Sequence, residues 1–224
     1  MRVILLGPAG SGKGTQAELI QKHYGFPKIS TGDILRQEAS SQSELGLKVA
    51  EVMKSGQLVA DEIVLEVVKT RVAQPDCRAG YVLDGFPRTL NQALLLEQVD
   101  PDRPETVFEI LITEKEVLRR LSGRRVCLQC GAVYNVNSHS KPKINDRCDL
   151  CGSTLVIRED DRAEVIKERF RIYLETIKPL VEHYSAKKVL FQIDGQNSAE
   201  EIFKVVKSII DRRISEQNGD RVRE

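Results

Sequence analysis

The 224-residue chain predicts an α/β fold, a five-stranded parallel sheet wrapped by helices, with two insertions set on it. Three observations carry that expectation. Five brief runs rich in Val, Ile and Leu recur along the chain, as strands covered on both faces require. Amphipathic helical patterns separate them, and strand–helix–strand alternation implies parallel pairing with helices on the faces. Two stretches, one all-helical and one rich in Cys, Gly and Pro, break the rhythm and read as additions to the sheet rather than parts of it.

The elements follow in order. Val3–Leu6 is the first strand, leading through a glycine-rich turn into a helix over Gly14–Tyr24. Lys28–Ser30 is the second strand. Residues 30–59 hold only helical patterns and form the first insertion. A helix over Asp61–Ala73 precedes the third strand, Tyr81–Asp84. Helices at Leu90–Val99 and Glu114–Leu121 flank the fourth, Val107–Ile112. Residues 126–163 contain four cysteines, Gly131, Pro142, Gly152 and short β-like pieces, and form the second insertion. A long helix over Asp161–Tyr184 contains Pro179, which should kink it or mark a boundary. Val189–Asp194 is the fifth strand and Ala199–Ile214 the closing helix. Residues 215–224 are almost entirely polar and are expected to fray as a flexible tail.

Bulk properties exclude several classes. Lys and Arg number 34 against 33 Asp and Glu, a net charge of +1, so bulk attraction gives no reason to expect nucleic acid or an anionic membrane as partner. No run approaches the ~18 apolar residues of a membrane span. The opening run Arg2-Val3-Ile4-Leu5-Leu6-Gly7 lacks the length and the small-residue cleavage site of a signal peptide, so a cytoplasmic protein is expected. In that compartment Cys127, Cys130, Cys148 and Cys151 read as a metal site rather than disulfides. Cys77 stands alone, as a small, partly buried apolar residue.

The turn after the first strand reads Gly7-Pro8-Ala9-Gly10-Ser11-Gly12-Lys13-Gly14-Thr15. Glycines let the backbone approach a phosphate, and the helix start supplies uncapped N–H groups and the positive end of a dipole. Lys13 adds a point charge that can reach the β- and γ-phosphates. The pattern departs from G-x-x-x-x-G-K-[ST] in one place: Gly14 follows the lysine, and the hydroxyl comes one residue later, at Thr15, so a magnesium ion should be held mainly through water.

Four further segments accompany this loop: Ser30-Thr31-Gly32-Asp33-Ile34-Leu35-Arg36, Gly56-Gln57-Leu58-Val59, Asp84-Gly85-Phe86-Pro87-Arg88 with Gln92, and Gly123-Arg124-Arg125. Together they resemble the adenylate kinase family of the bacterial, long-lid type, over residues 1 to about 214. The resemblance implies a core (1–29, 60–125 and 164–214), an AMP-binding insert (30–59) and a lid (126–163) with hinges near 123–126 and 160–163. It implies reversible phosphoryl transfer from ATP to AMP giving two ADP, with Mg²⁺, a role in adenine nucleotide balance, and a monomer. Lys13, Arg88, Arg124, Arg158 and Arg169 match the catalytic set, and Asp160 and Asp161 match acidic residues that pair with lid arginines. Gly10, Ser11, Gly12, Lys13, Gly14, Thr15, Arg120, Arg124, Val133, Tyr134 and Asn197 match the ATP side. Thr31, Arg36, Gln57, Leu58, Val59, Gly85, Phe86, Pro87, Arg88, Gln92, Arg158 and Arg169 match the AMP side. Asp33 and Asp84 are the candidate anchors for Mg²⁺-bound waters.

The chemistry of these residue types agrees. Phosphoryl transfer needs positioned cations rather than a covalent nucleophile or general base. Arginine offers planar forks to phosphate, and a glutamine amide can pair with an adenine edge. UMP/CMP kinases resemble the chain elsewhere but usually carry a small apolar residue at the position of Thr31, which favours AMP. A kinase for UMP, CMP or GMP, or one using GTP, remains a rival reading. A zinc-ribbon nucleic-acid binder is another, though it would need a basic face and stacking aromatics, and the chain has 5% aromatics and no Trp. The cysteines form two C-x2-C knuckles, each followed by a glycine, and four thiolates at this spacing suit a tetrahedral structural Zn²⁺. His23, His139 and His183 receive no role.

Overall fold

The apolar runs become strands because alternate residues find a helix layer on each side. The computed structural model describes residues 1–41, 43–138 and 140–221, with side chains through 217. The core strands are β1 (Arg2–Leu6), β2 (Lys28–Ser30), β3 (Tyr81–Asp84), β4 (Glu105–Leu111) and, after the second insertion, β8 (Leu190–Asp194). They form one parallel sheet in the order β2-β3-β1-β4-β8. On one face Val3 and Leu5 of β1 join Ala17 and Ile20 of α1 (Lys13–Tyr24) and Ile202, Val206 and Ile210 of α8 (Ala199–Arg221). On the other, Ile4 and Leu6 join side chains of α4 (Asp61–Val72), α5 (Leu90–Val99) and α7 (Ala163–Ala186), among them Val68, Leu96 and Leu180. Each such buried aliphatic side chain contributes about 1.5–3 kcal/mol.

The first insertion is the helix pair α2 (Thr31–Ala39) and α3 (Glu44–Ser55). Serine caps set both starts: Ser30 Oγ accepts from the Asp33 N–H at 3.3 Å, and Ser43 Oγ from the Gly46 N–H at 2.8 Å. The second insertion follows α6 (Glu114–Ser122) and is a small antiparallel sheet, order β6-β5-β7, of β5 (Arg124–Cys127), β6 (Val133–Asn135) and β7 (Leu155–Val156). Its own buried cluster is only Cys127, Tyr134, Cys148 and Leu155, with Ala132 against it. A core that small needs a staple.

Several boundaries differ from the sequence-based expectation. β1 begins at Arg2 and β4 at Glu105, because the two charges bury each other: Arg2 Nη2 meets Glu105 Oε2 at 2.7 Å. The long helix α7 starts at Ala163, not Asp161; Glu159–Asp161 is a 3₁₀ turn whose two aspartates are buried. Pro179 does not end α7, which runs through it unbroken. Pro179 and Glu175 both lie on the exposed face, so the carbonyl that loses its helical donor sits beside solvent. Residues 215–221 of the tail are helical, as α8 continues through Arg221. Within it Glu216 lies 3.5 Å from Arg213, and Ser215 Oγ donates to the Asp211 carbonyl at 2.9 Å. Residues 222–224 and His139 lie outside the described residues. Cys77 is wholly buried and accepts from Arg71 Nη1 at 3.1 Å. Among the described residues no helix is long and apolar enough to cross a membrane.

Candidate active site

The carboxyl ends of β1, β2 and β3 open into a cleft of about 760 Å³, well within the range of sites that enclose a nucleotide-sized ligand. Residues 7–12 cross its floor. Gly12, at φ +102°, occupies the N-cap of α1 in the left-handed region and brings no capping side chain, so the first-turn N–H groups of the helix are left for an anion. Lys13 Nζ donates to the Gly7 and Pro8 carbonyls at 2.8 Å each. Burial pulls the Lys13 ammonium down to about 8; Asp84 opposes this, and Arg88, Arg169 and Arg124 add to it.

The departure at Gly14 has a structural cause. A Cβ there would lie 3.4 Å from Asp84 Oδ2 and 3.7 Å from Lys28 Nζ. A carboxylate on the end of β3 thus faces the place where the usual motif sets its hydroxyl. Among the described residues no cation reaches within 4.0 Å of the Asp84 carboxylate, which leaves a hard oxygen donor suited to Mg²⁺-bound water. Asp33 is differently placed. It lies 2.5 Å from Arg36 Nη2 and 3.3 Å from Arg158 Nη2, and against a raising effect of burial these arginines hold it at about 2.

Around the cleft stand Lys13, Arg36, Arg88, Arg120, Arg124, Arg158 and Arg169. Their local positions are fixed by carboxylates and carbonyls beneath them. Asp161, its side chain fully buried, takes a bidentate pair from Arg124 (Nε to Oδ2 2.7 Å, Nη2 to Oδ1 2.5 Å) and lies 3.5 Å from Arg169 Nη1. Asp160 Oδ2 lies 3.1 Å from Arg169 and 3.6 Å from Arg36. Arg88 Nε donates to the Gly85 carbonyl at 2.8 Å. Arg120 spans the site from beneath, donating to the Ser11 carbonyl at 3.3 Å and the Gly195 carbonyl at 2.8 Å while paired to Glu116 at 2.7 Å. Burial and then neighbouring guanidinium groups pull Arg88 and Arg158 down to about 10. The positive charge is therefore crowded, and a polyanion among these groups relieves the repulsion.

A smaller pocket adjoins the cleft under the first insertion. Thr31, Arg36, Gln57, Leu58, Val59, Gly85, Arg88, Gln92 and Arg169 line it, together with Leu35, Met53 and Val64, which the sequence reading left out. Thr31 Oγ1 donates to the Gly85 carbonyl at 2.9 Å. Gln92 is held at both ends: its Nε2 donates to Asp61 Oδ1 at 2.6 Å, and its Oε1 accepts from the Arg88 N–H at 2.7 Å. Phe86 is wholly buried in the core and lines neither pocket; Pro87 and Arg158 line the larger one. The Gln57 side chain turns away to Glu168 Oε1, 2.7 Å.

The lid contributes Val133, Tyr134 and Asn135 to the larger cleft, and the turn between β8 and α8 contributes Asn197. Val133 is half-exposed, whereas Tyr134 is buried in the lid's own cluster. The four cysteine sulfurs lie within 4.8 Å of one another, with Cys127–Cys151 at 3.4 Å and Cys130–Cys148 at 3.5 Å. A tetrahedron of sulfurs at ~2.3 Å from a central ion has edges of about 3.8 Å, so the donor set fits one metal ion with no open position.

Two cations are among the cleft residues that escaped the sequence reading. Arg119 lines the cleft and donates to the lid carbonyl of Asn137 at 2.7 Å. Lys28, paired with Glu18 at 2.9 Å, borders Gly14. Neither carries a local signal, since each is defined by partners distant in the chain or on another element.

The sequence profile of the family described as adenylate kinase matches residues 5–189. An adenylate kinase of Archaeoglobus fulgidus is 42% identical over 215 residues, 95% of this chain and 99% of that one. Those of Caldicellulosiruptor saccharolyticus (46% over 213 residues, 94% and 97%) and Thermosipho melanesiensis (42% over 215 residues, 95% and 100%) are similar at full length. With a phosphate loop, a converging set of cations and full-length likeness in hand, the chain belongs to the adenylate kinase family, and its activity is the phosphoryl transfer that turns ATP and AMP into two ADP.

Proposed function

We propose that the larger cleft takes ATP, the smaller pocket takes AMP, and the cations between them carry the transfer. The observation that supports this most directly is the position of Arg88, which lines both pockets. In this reading Lys13 releases the Gly7 and Pro8 carbonyls and engages the β- and γ-phosphates, while the first-turn N–H groups of α1 (Gly12 through Thr15) cradle them. Arg124 and Arg158 come onto the moving phosphoryl from the lid side, and Arg88, Arg36 and Arg169 fix the AMP phosphate as acceptor. Asp160 and Asp161 hold those guanidinium groups in place before substrate arrives, so little reorganisation remains at the moment of reaction. Thr31, Gly85, Gln92 and the Gln57–Val59 backbone form the AMP base and ribose surround. Arg120, Val133, Tyr134 and Asn197 form that of ATP. When bound, Mg²⁺ would supply neutralisation of the charge on the transferred phosphates. Asp84 would hold its waters; Asp33, already committed to two arginines, would do so only secondarily.

The architecture proposed is a core of 1–29, 60–125 and 164–214, an AMP insert of 30–59 and a lid of 126–163 hinged near 123–126 and 160–163. Closure excludes water from the reacting phosphates. The lid cysteines Cys127, Cys130, Cys148 and Cys151 are proposed to hold structural Zn²⁺, whose contribution is to fold the lid. We further assign the enzyme to the cytoplasm as a monomer, to be checked by size-exclusion chromatography with light scattering.

The test is a coupled assay of ADP formation with Mg²⁺, run with AMP, UMP, CMP and GMP as acceptors for wild type and Arg88→Ala. AMP should be strongly preferred, and the variant should lose ~10²–10³ in kcat, the scale of one preorganised donor. Near-full turnover by Arg88→Ala would show that the transfer site lies elsewhere.

A further inference from the structure

Tyr134 sits between the two halves of the lid's chemistry. Its strand, β6, borders the large cleft, while its phenol reaches inward to the cysteines. The hydroxyl oxygen accepts from the Asp149 N–H at 2.8 Å and lies 3.5 Å from Cys148 Sγ. A phenol has one proton to give. The Asp149 amide is itself a donor and cannot take that proton, and a metal-bound thiolate carries none of its own. The only arrangement that satisfies all three groups is donation from Tyr134 to Cys148. Asp149 is in turn fixed, its Oδ1 accepting from the Lys143 N–H at 2.9 Å, so the knuckle is oriented from both sides.

We infer that Tyr134 is a positioning residue of the metal centre, donating a hydrogen bond to the Cys148 thiolate and so raising the affinity of the site and disposing of part of its charge. Four thiolates around a divalent cation leave a net charge of −2, and a buried phenol aimed at one sulfur disperses it where water does not reach. The inference rests on the reading of the four cysteines as a zinc centre. It also links the metal to the cleft through one hydrogen bond and the backbone of β6: Val133 and Asn135, the neighbours of Tyr134, line the nucleotide side.

The experiment uses the full-length chain loaded with Zn²⁺ or, as a coloured probe, Co²⁺. Tyr134→Phe keeps the ring and removes the proton; it should bind zinc about 10–100-fold more weakly in chelator competition, the usual loss for a partner of a metal ligand. Its thiolate-to-cobalt charge-transfer band should move to lower energy, because the sulfur is no longer stabilised. Leu155→Val, in the same buried cluster, loosens packing beside Cys127 but removes no hydrogen-bond donor to a sulfur, and should leave the band where it is. If Tyr134→Phe leaves the lid too disordered to take up metal, 3-fluorotyrosine at position 134 supplies the readout: a stronger donor of the same shape should move the band to higher energy. A band and affinity unchanged in Tyr134→Phe, or a band indifferent to fluorination, overturns the inference while leaving the zinc centre standing. A wild-type chain that takes up neither metal overturns both.

Discussion

Lys13 is spent twice in this fold. It donates to two loop carbonyls, and burial with three arginines nearby holds its ammonium at about 8. On the role proposed for Lys13, a rise in pH through 8 in the free enzyme removes the charge that would meet the γ-phosphate. Bound phosphates favour the charged form and move that loss to higher pH. The expected outcome is a kcat/KM for ATP that falls as pH rises through about 8, with kcat holding to more alkaline pH, since the first reports the free enzyme and the second the complex. A kcat/KM flat to pH 10 would contradict this account. Lys13→Met should lower kcat by ~10²–10³ or more in the coupled ADP assay. At the same scale, Asp161 shows why a carboxylate can matter without touching substrate: unpaired, Arg124 would have no fixed direction.

The lid is the element least able to fold alone. Its buried cluster comprises four residues, two of them cysteines. Structural zinc in small fingers supplies an apparent ~10–16 kcal/mol at pH 7, comparable with or larger than the ~5–15 kcal/mol of an entire domain. Removal of the metal should melt residues 126–163 first while the parallel sheet survives. Calorimetry should then show a lowered or separate transition, with activity lost after stability. Undiminished stability in a verified metal-free sample would count against a structural role. The first insertion works differently. It is seated on α7 through Gln57–Glu168, and Gly56 permits the fit, since a Cβ there would lie 3.0 Å from Val165 Cγ1 and 3.1 Å from Arg169 Cγ. The smaller pocket spans only about 40 Å³ in this state, so the proposed placing of AMP there requires the insert to lift.

Across the whole molecule, chemistry and stability occupy opposite edges of the sheet. The carboxyl ends of the strands hold the cations of the cleft. The amino ends hold the buried pair Arg2–Glu105, which Lys187 joins from the end of α7. Glu105→Gln leaves two cations facing a neutral amide, and breaking a buried pair on one side costs about 3–5 kcal/mol. Urea unfolding should show that loss, while kcat per folded molecule stays at the wild-type value because no group of the cleft is touched. A wild-type unfolding midpoint in this variant would mean that the pair carries no stability.

What could be read from the chain alone was whatever is local or periodic. The strands Lys28–Ser30 and Tyr81–Asp84, the glycine loop and the two cysteine knuckles are legible because strand period, turn chemistry and ligand spacing are short-range properties. The site residues were legible as a set only through family likeness; spacing by itself said nothing of which arginine meets which aspartate. Tertiary structure decided the rest. It placed Asp84 where Gly14 makes room, committed Asp33 to Arg36 and Arg158, enlisted Arg119 and Lys28, and carried α7 through Pro179 and α8 to Arg221. Each of these depends on a partner from a distant segment or on which face meets solvent. Periodicity records that a side chain turns inward, but the charge or carbonyl it meets there is set only when the sheet has brought the distant segments together.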